Sequence, residues 1–321
     1  MKILVTGGYG MMGRTIHSLI QNTNKKDNFI FLSRKECDLT KRNEVLAYFR
    51  KYKFDYVIHL AAAVGGLYKN LDSNINMFSD NIKINENILE ACHLNGIKRG
   101  IFCLSSCIYP KNPSKFPMDE SMVHESPPHP SNEGYAYAKR MLELQTRQYN
   151  KTYGYQYICV IPVNLYGPYD NFNLKDSHMI PGLMHRFYLT SLTGEKYEAY
   201  GTGKPYRQFL YSFDFAKIIL TILFDKDTTR LQNTEPIICC GDKNEPKEYT
   251  IKNIVDILAD VMDINKELIY WNTNKSDGCM KKTVTNEKLI HMYPDISFTS
   301  LEDGLQETYS WFIDNFDTIR K

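Results

Sequence analysis

Residues 6–13, which read Thr-Gly-Gly-Tyr-Gly-Met-Met-Gly, constrain the fold of this chain more than any other segment. They follow the short apolar run 2–6 and precede a helical pattern in which Met12, Ile16 and Ile20 share one face. A T-G-x-x-G-x-x-G segment between a strand and a helix is typical of dinucleotide-binding domains. The sequence therefore predicts a dinucleotide site at the start of the chain.

The glycines of this segment have separate predicted roles. Gly7 permits the tight turn, Gly10 lets the backbone approach a pyrophosphate, and Gly13 allows close packing of helix and strand. Met11 and Met12 open the helix, whose free N–H groups and partial positive charge face the phosphates.

Apolar runs continue to alternate with helical patterns through the first half of the chain. Continuous apolar strands separated by amphipathic helices favour a parallel sheet covered on both sides. We predict an α/β fold, a doubly wound parallel (Rossmann) sheet with a smaller α/β substrate-binding lobe toward the C-terminus. The predicted strands are residues 2–6, 29–32, 56–61, 100–105 and 157–162.

The composition and the hydrophobic pattern of the chain change after Asn164. Loops rich in Gly, Pro, Asn and Asp dominate 166–205, followed by predicted helices at 214–224, 251–262 and 301–316 and a strand at 236–240. We assign 1–163 plus about 207–236 to the NADP-binding domain. The substrate lobe takes 164–206 plus about 237–300, and 301–321 forms a C-terminal helix.

The second predicted strand ends in Ser-Arg-Lys, where NAD enzymes usually carry a carboxylate for the ribose hydroxyls. Arg34 can pair with a 2′-phosphate that a carboxylate would repel, so the sequence favours NADPH over NADH. The competing interpretation leaves these side chains in solvent. Asp38 and Leu39 suit the adenine pocket, and Ala61 and Ala62 the ribose.

A reductive pair follows at Tyr135 and Lys139, which share one face of a helix. A lysine ammonium one turn away is expected to lower the phenol pKa, and Tyr135 then donates a proton to a carbonyl oxygen. Tyr137 has the wrong spacing for this role. Ser105 is expected to bond the same carbonyl.

Cys107 is the residue that a plain reductase does not need. Alternation along the predicted strand places Ser105, Cys107 and Tyr109 on one side. A thiolate there can remove a proton alpha to a carbonyl, and His178 is the candidate that returns a proton from the opposite face. The alternatives are an inert buried cysteine and a structural histidine.

Bulk properties narrow the partners. The 39 basic and 37 acidic residues give a net charge of +2, which offers no case for nucleic acid or a membrane surface. We expect neither a signal peptide before the first strand nor a transmembrane segment of about 20 apolar residues. The eight cysteines show no zinc spacing, so we expect no metal and a reducing, cytoplasmic setting.

Four motifs carry a family resemblance: residues 61–66, 105–110, 164–172 and 177–181. They resemble signatures of the GDP-L-fucose synthases, the GDP-4-keto-6-deoxy-D-mannose 3,5-epimerase/4-reductases of the extended short-chain dehydrogenase/reductase family. The resemblance covers nearly the whole chain. This resemblance implies that Cys107 is the epimerisation base and His178 the acid. It implies a reductive triad of Ser105, Tyr135 and Lys139, with NADPH as reductant.

The resemblance also implies the substrate contacts. Arg186 and Arg207 match basic positions used on the GDP diphosphate and sugar, and Lys282 matches a nucleotide-contacting lysine. Tyr200 stands where the family commonly has Trp. A homodimer built through the helix near 82–92 and the helix carrying Tyr135 is expected. Further predicted cofactor contacts are Pro162, Asn164, Leu165, Tyr135, Lys139 and His178.

Three other functions stay open at the level of sequence. One is a simple NADPH-dependent 4-keto-sugar reductase with an inert Cys107. Another is a 4-epimerase that keeps its nicotinamide bound. The third is a non-catalytic dinucleotide sensor, against which the presence of both Tyr135 and Lys139 argues.

Overall fold

The computed structural model describes residues 1–21, 23, 28–65, 73–227, 229–231, 235–241 and 247–321. Gly66, the last residue of the 61–66 motif, lies outside them. The strands are β1 Ile3–Thr6, β2 Phe29–Leu32, β3 Tyr56–His59, β4 Arg99–Cys103, β5 Gln156–Pro162, β6 Asn164–Tyr166, β7 Tyr197–Tyr200, β8 Tyr206–Arg207, β9 Phe209–Tyr211, β10 Ile237–Cys239, β11 Tyr249–Thr250 and β12 Ile269–Asn272. The helices are α1 Met11–Ile20, α2 Arg42–Tyr52, α3 Asn74–Leu94, α4 Glu133–Tyr153, α5 Met179–Thr193, α6 Ser212–Phe224, α7 Ile251–Val261, α8 Glu287–Met292 and α9 Leu301–Asp314.

A parallel sheet forms the centre of the molecule. Within the described residues its strand order is β2-β1-β3-β4-β5-β10, and neighbouring strands pair in parallel. Helices α1 and α6 pack against each other, and α2 and α4 both pack against α3. This arrangement confirms the predicted doubly wound fold, in which the carboxyl ends of the strands gather the candidate site residues at one edge.

A smaller lobe has its own apolar core. Phe172, Phe187, Leu258 and Phe312 are buried in it, and α9 packs on α7 there. The predicted C-terminal helix therefore belongs to the core of this lobe. Strand β10 pairs with β5, so residues 237–239 lie in the main sheet and not in the lobe that was predicted from 237.

Helix α5 corrects the prediction of loops across 166–205. Pro181 and Gly182 suggested irregular structure, but both lie in the first turn, where proline costs no intrahelical hydrogen bond. Ile180, Leu183 and Phe187 are buried at helical spacing, a pattern visible in the sequence.

No helix in the described part of the chain is both long enough and apolar enough to cross a membrane.

Candidate active site

The glycine-rich turn after β1 packs closely against the backbone that follows β3. Gly7 has a φ of +67°, and a Cβ there would lie 2.9 Å from the backbone nitrogen of Ala61. A Cβ on Gly13 would collide with the carbonyl of Gly8, so the close packing predicted for Gly13 is with the turn itself. Helix α1 begins at Met11 with Gly10 as its N-cap. The backbone thus offers a cradle for a pyrophosphate at a helix N-terminus.

The turn after β2 presents Arg34 to solvent. Its side chain is 83% exposed, with one guanidinium nitrogen 3.7 Å from Asp38 Oδ2. Glu36 is turned back, because its Oε2 accepts from the Ser33 N–H at 2.9 Å and hydroxyl at 2.6 Å. Leu39 is buried and its carbonyl accepts from Asn87 Nδ2. The guanidinium is therefore exposed to an incoming phosphate, which would compete with Asp38 for it.

Helix α4 carries the predicted reductive pair. Lys139 is buried, its Nζ donates to the Cys103 carbonyl at 2.7 Å and lies 5.9 Å from the Tyr135 ring centroid. Burial raises the pKa of Tyr135 well above its usual value, and burial lowers the pKa of Lys139. The prediction that Lys139 lowers the phenol pKa is wrong for this state, because desolvation dominates. The phenol is consequently held protonated, the form that donates.

The segment after β4 corrects the alternation argument. The strand ends at Cys103, and residues 106–108 form a 3₁₀ turn. Ser105 caps this turn, its Oγ accepting from the Cys107 N–H at 3.3 Å. The two side chains are neighbours because the chain folds back, not because strand residues alternate. Tyr109 is buried, and its hydroxyl has no hydrogen-bond partner among the described residues.

Three neighbours act on the partly buried Cys107 thiol. Burial raises its pKa, whereas the Ser105 hydrogen bond and the cations Lys282 and Lys139 lower it. The family resemblance implied that Lys282 contacts the nucleotide, and the structure also brings it within electrostatic reach of this thiol. Because Lys282 lies 175 residues downstream, only the fold could reveal that proximity.

His178 is exposed at the N-cap of α5. Nearby Asp170 is 4% exposed; its Oδ1 accepts from the Asn171 N–H, and its Oδ2 lacks a hydrogen-bond partner in the described structure. Burial raises the pKa of Asp170, and the charges of His178 and Arg320 oppose that rise. The structure thus sets a buried carboxyl within electrostatic reach of the candidate acid.

The predicted substrate contacts lie in the smaller lobe. Arg186 Nη1 donates to the Gly182 carbonyl at 2.9 Å, and Arg207 Nη1 to the Tyr206 carbonyl at 2.7 Å. Tyr200 is 54% exposed on β7, with Lys275 Nζ 5.4 Å from its ring centroid.

Three of the predicted cofactor contacts lie at and just after the end of β5. Pro162 ends β5, Leu165 lies in β6, and Asn164 Nδ2 donates to the Gln208 carbonyl at 2.8 Å.

A buried polar network that the sequence analysis missed links the dinucleotide turn to α4. His59 Nδ1 lies 2.8 Å from Thr6 Oγ1, and its Nε2 lies 3.1 Å from Asn85 Oδ1. Asn85 Nδ2 donates to the Ala138 carbonyl at 3.3 Å, and Thr6 Oγ1 accepts the Ala61 N–H at 3.2 Å. Burial and the charge of Lys139 lower the pKa of His59 to about 3. The ring is neutral, so it ties β1, β3, α3 and α4 together without adding its own positive charge beside Lys139.

We expect His59→Gln to flatten the acid stability profile. Because folding lowers the pKa of His59 from 6.5 to about 3, the unfolded chain takes up the proton first, and stability falls as pH drops below 6.5. Between pH 7.5 and 5 the parent should lose roughly 2 kcal/mol more unfolding free energy than the variant. Urea unfolding at both pH values measures this, and His291→Gln, at an exposed ring, should behave like the parent.

The chain is similar to known proteins over nearly its whole length. The model of the NAD dependent epimerase/dehydratase family matches residues 3–234. A GDP-L-fucose synthase from Dictyostelium discoideum is 42% identical, over 99% of this chain and 97% of the relative. One from Escherichia coli K12 is 32% identical, over 99% and 98%. The crystal structure of a GDP-L-fucose synthetase from Naegleria fowleri bound to NADP superposes with a TM-score of 0.90 and 39% identity, covering 99% of this chain and 94% of that one.

Proposed function

The chain belongs to the NAD dependent epimerase/dehydratase family, and we propose that within it the chain acts as an NADPH-dependent GDP-L-fucose synthase. It converts GDP-4-keto-6-deoxy-D-mannose to GDP-L-fucose by 3,5-epimerisation and then 4-keto reduction in one site. The observation that carries this proposal is the Cys107 turn. A thiol capped by Ser105, with Lys139 and Lys282 in electrostatic reach, adds proton chemistry on carbon to a reductive pair.

The cofactor fits the residues that surround the carboxyl ends of the main-sheet strands. The N-terminus of α1, with Gly10 as its N-cap, accepts the pyrophosphate, and the exposed Arg34 side chain meets a 2′-phosphate. Ala61 and Ala62 follow β3 and Pro162 ends β5, both strands of the main sheet, and Asn164 and Leu165 lie in β6 directly after β5. NADPH, when bound there, supplies the hydride that C4 of the sugar receives.

Epimerisation begins with proton removal from the carbons beside the ketone. The Cys107 thiolate takes the proton from C3 or C5, and the electron pair moves into an enolate. The hydroxyls of Ser105 and Tyr135 donate hydrogen bonds to the enolate oxygen. His178 then donates a proton to carbon from the opposite face. The exposed imidazole regains its proton from water, and the thiol releases its own.

Reduction uses the same oxygen. Tyr135 donates its phenolic proton to the C4 oxygen as C4 is reduced, which converts the ketone to an alcohol. Buried Lys139 places a positive charge beside the site. Its hydrogen bond to the Cys103 carbonyl also holds the end of β4 in position. Arg186, Arg207, Tyr200 and Lys282 are proposed to hold the GDP end of the substrate.

Arg34→Gln should reduce the preference for NADPH. The change removes a charge-assisted bond to the 2′-phosphate, worth about 1.5–3 kcal/mol, so the ratio of kcat/KM for NADPH over NADH should fall roughly 10- to 100-fold. Steady-state kinetics with both reductants measure it. Arg50→Gln, the same charge change in the last turn of α2, is the matched control. An unchanged NADPH-to-NADH ratio in Arg34→Gln would contradict the proposed contact between Arg34 and the 2′-phosphate.

The homodimer is proposed from the outer surface of α3 and α4. These helices pack side by side, and Ile75, Phe78 and Tyr153 expose apolar area on them. Light scattering after gel filtration should give twice the 37.4 kDa chain mass. Phe78→Glu should return the chain to its monomer mass, and a monomeric parent would exclude the dimer.

Product analysis by NMR in deuterium oxide tests the whole proposal. Protein, NADPH and GDP-4-keto-6-deoxy-D-mannose should give GDP-L-fucose carrying deuterium at C3 and C5. An uninverted, undeuterated alcohol would identify a plain reductase. Turnover without NADPH consumption would indicate a 4-epimerase. No turnover at all would favour another sugar nucleotide or a dinucleotide sensor.

A further inference from the structure

Arg140 is a buried cation with an unusual set of partners. It follows Lys139 on α4 and is 4% exposed. Its Nε donates to the Ile108 carbonyl at 2.8 Å, and its Nη2 donates to the Ser126 carbonyl at 2.7 Å. The guanidinium carbon lies 5.5 Å from the Tyr137 ring centroid. No carboxylate forms an ion pair with it anywhere in the described structure, so its charge is hydrogen bonded but not neutralised.

Burying a charge without a counter-ion costs desolvation free energy. The position of Arg140 therefore indicates which anion its charge stabilises. Ile108 directly follows Cys107, and the two are part of one 3₁₀ turn. Burial lowers the pKa of the Arg140 guanidinium, and the side chains of Tyr137 and Cys107 oppose that fall, so the thiol lies within electrostatic reach of the cation. The uncompensated cation therefore faces a residue that becomes negative only when its thiol ionises.

Two adjacent residues of α4 hold the two ends of the candidate catalytic segment. Lys139 Nζ binds the carbonyl of Cys103, where β4 ends, and Arg140 binds the carbonyl of Ile108, where the turn ends. The intervening residues carry both Ser105 and Cys107. The spacing between the thiol and the Tyr135 face of α4 is thus set by two cationic hydrogen bonds, which are stronger than neutral ones.

We propose that Arg140 is a positioning residue for Cys107: it fixes the turn against α4 and supplies permanent positive charge to the thiolate. This inference rests on the proposed function, because it assigns Arg140 to the epimerisation half of the reaction. Hydride transfer through Tyr135 should need it far less.

Other groups face the same thiol, and they differ from Arg140 in kind. Lys282 is only half-buried and is proposed to meet the nucleotide, whereas Lys139 serves both half-reactions. Tyr135 is neutral when protonated. Arg140 alone among these groups is a buried guanidinium, which keeps its charge at every working pH.

The test compares Arg140→Gln and Arg140→Lys with Arg147→Gln. Arg147 lies on the same helix and donates to Glu143 Oε1 at 2.9 Å, so it is the matched control. The first readout is the pH profile of Cys107 alkylation by iodoacetamide, followed by peptide mass mapping, which needs no turnover. The second is the rate of deuterium entry at C3 and C5. The third is NADP⁺-dependent oxidation of GDP-L-fucose at C4, the reverse of reduction.

Arg140→Gln should shift the alkylation profile upward by about one pH unit or more and slow deuterium entry at least about 10-fold, while C4 oxidation changes less than about 3-fold. Arg140→Lys, which keeps the charge, should restore most of the alkylation profile. Arg147→Gln should match the parent in all three readouts. In a Cys107→Ser background, Arg140→Gln should cause no further loss of exchange, because both act through one thiol.

Three results would overturn the proposal: a parental alkylation profile in Arg140→Gln, equal losses in exchange and oxidation, or additive losses in the Cys107→Ser background. If Arg140→Gln is insoluble, the Arg140→Lys profile and its exchange-to-oxidation ratio decide the question. Failure of the proposed function itself looks different, since the parent protein would then show no deuterium entry at C3 and C5.

Discussion

Cys107→Ser should stop deuterium entry at C3 and C5 while C4 oxidation of GDP-L-fucose by NADP⁺ continues. The serine hydroxyl keeps the hydrogen-bonding geometry of the turn but does not ionise near neutral pH, so the base is lost. General-base catalysis contributes roughly 10²- to 10⁴-fold, and exchange should fall by that factor. Oxidation should change only a few-fold, because Ser105, Tyr135 and Lys139 remain. NMR for exchange and absorbance of NADPH for oxidation measure the two half-reactions separately.

Cys103→Ser is the matched control for that experiment. Cys103 also lies partly buried beside Lys139, and its Sγ lies 3.5 Å from the Leu104 carbonyl. It should exchange deuterium at the parental rate. If Cys107→Ser also exchanges at the parental rate, another group removes the proton and the assignment of Cys107 as the base is wrong. Equal loss of both half-reactions would instead mean that the turn has collapsed.

The sheet and the dinucleotide turn were predictable because their signals are local. Strand 29–32 was predicted with its observed bounds, and the glycine pattern at 6–13 fixes a strand, a turn and a helix within a few residues of one another. Helix α5 was missed because Pro181 and Gly182 outweighed its apolar spacing, although both are tolerated in a first turn. The prediction of strand alternation beyond Cys103 failed because Ser105 caps a turn there.

The electrostatics of the site was much less accessible from sequence. Lys282 reaches Cys107 through a long-range return of the chain, which no local spacing encodes. Arg140 and His59 act through backbone carbonyls and buried hydroxyl or amide groups, and these partners have no side-chain signature. The pKa of Tyr135 is raised, whereas the sequence predicted that it would be lowered. The spacing of Tyr135 and Lys139 reveals a nearby cation but not the extent to which burial removes water from the phenol.

Tyr135→Phe should produce the converse of the Cys107 result. Loss of the phenol removes the proton donor to the C4 oxygen, so C4 oxidation and reduction should both fall roughly 10²- to 10⁴-fold. Deuterium entry should persist at a reduced rate, since Cys107 is intact and Ser105 still donates to the enolate oxygen. NADPH binding, followed by its fluorescence, should stay near parental, which separates a chemical defect from a binding defect.

Tyr149→Phe, on the same helix but among the aromatic rings of His93 and Tyr155, should leave C4 oxidation unchanged. If Tyr135→Phe also oxidises GDP-L-fucose at the parental rate, another group protonates the C4 oxygen, and the reductive assignment of α4 is wrong. If neither the parent nor Tyr135→Phe turns over the sugar nucleotide, yet both bind NADPH alike, the dinucleotide sensor gains support. Because burial keeps the Tyr135 phenol protonated in the cofactor-free protein, the enzyme proposal requires a large loss at this one oxygen atom and predicts none at Tyr149.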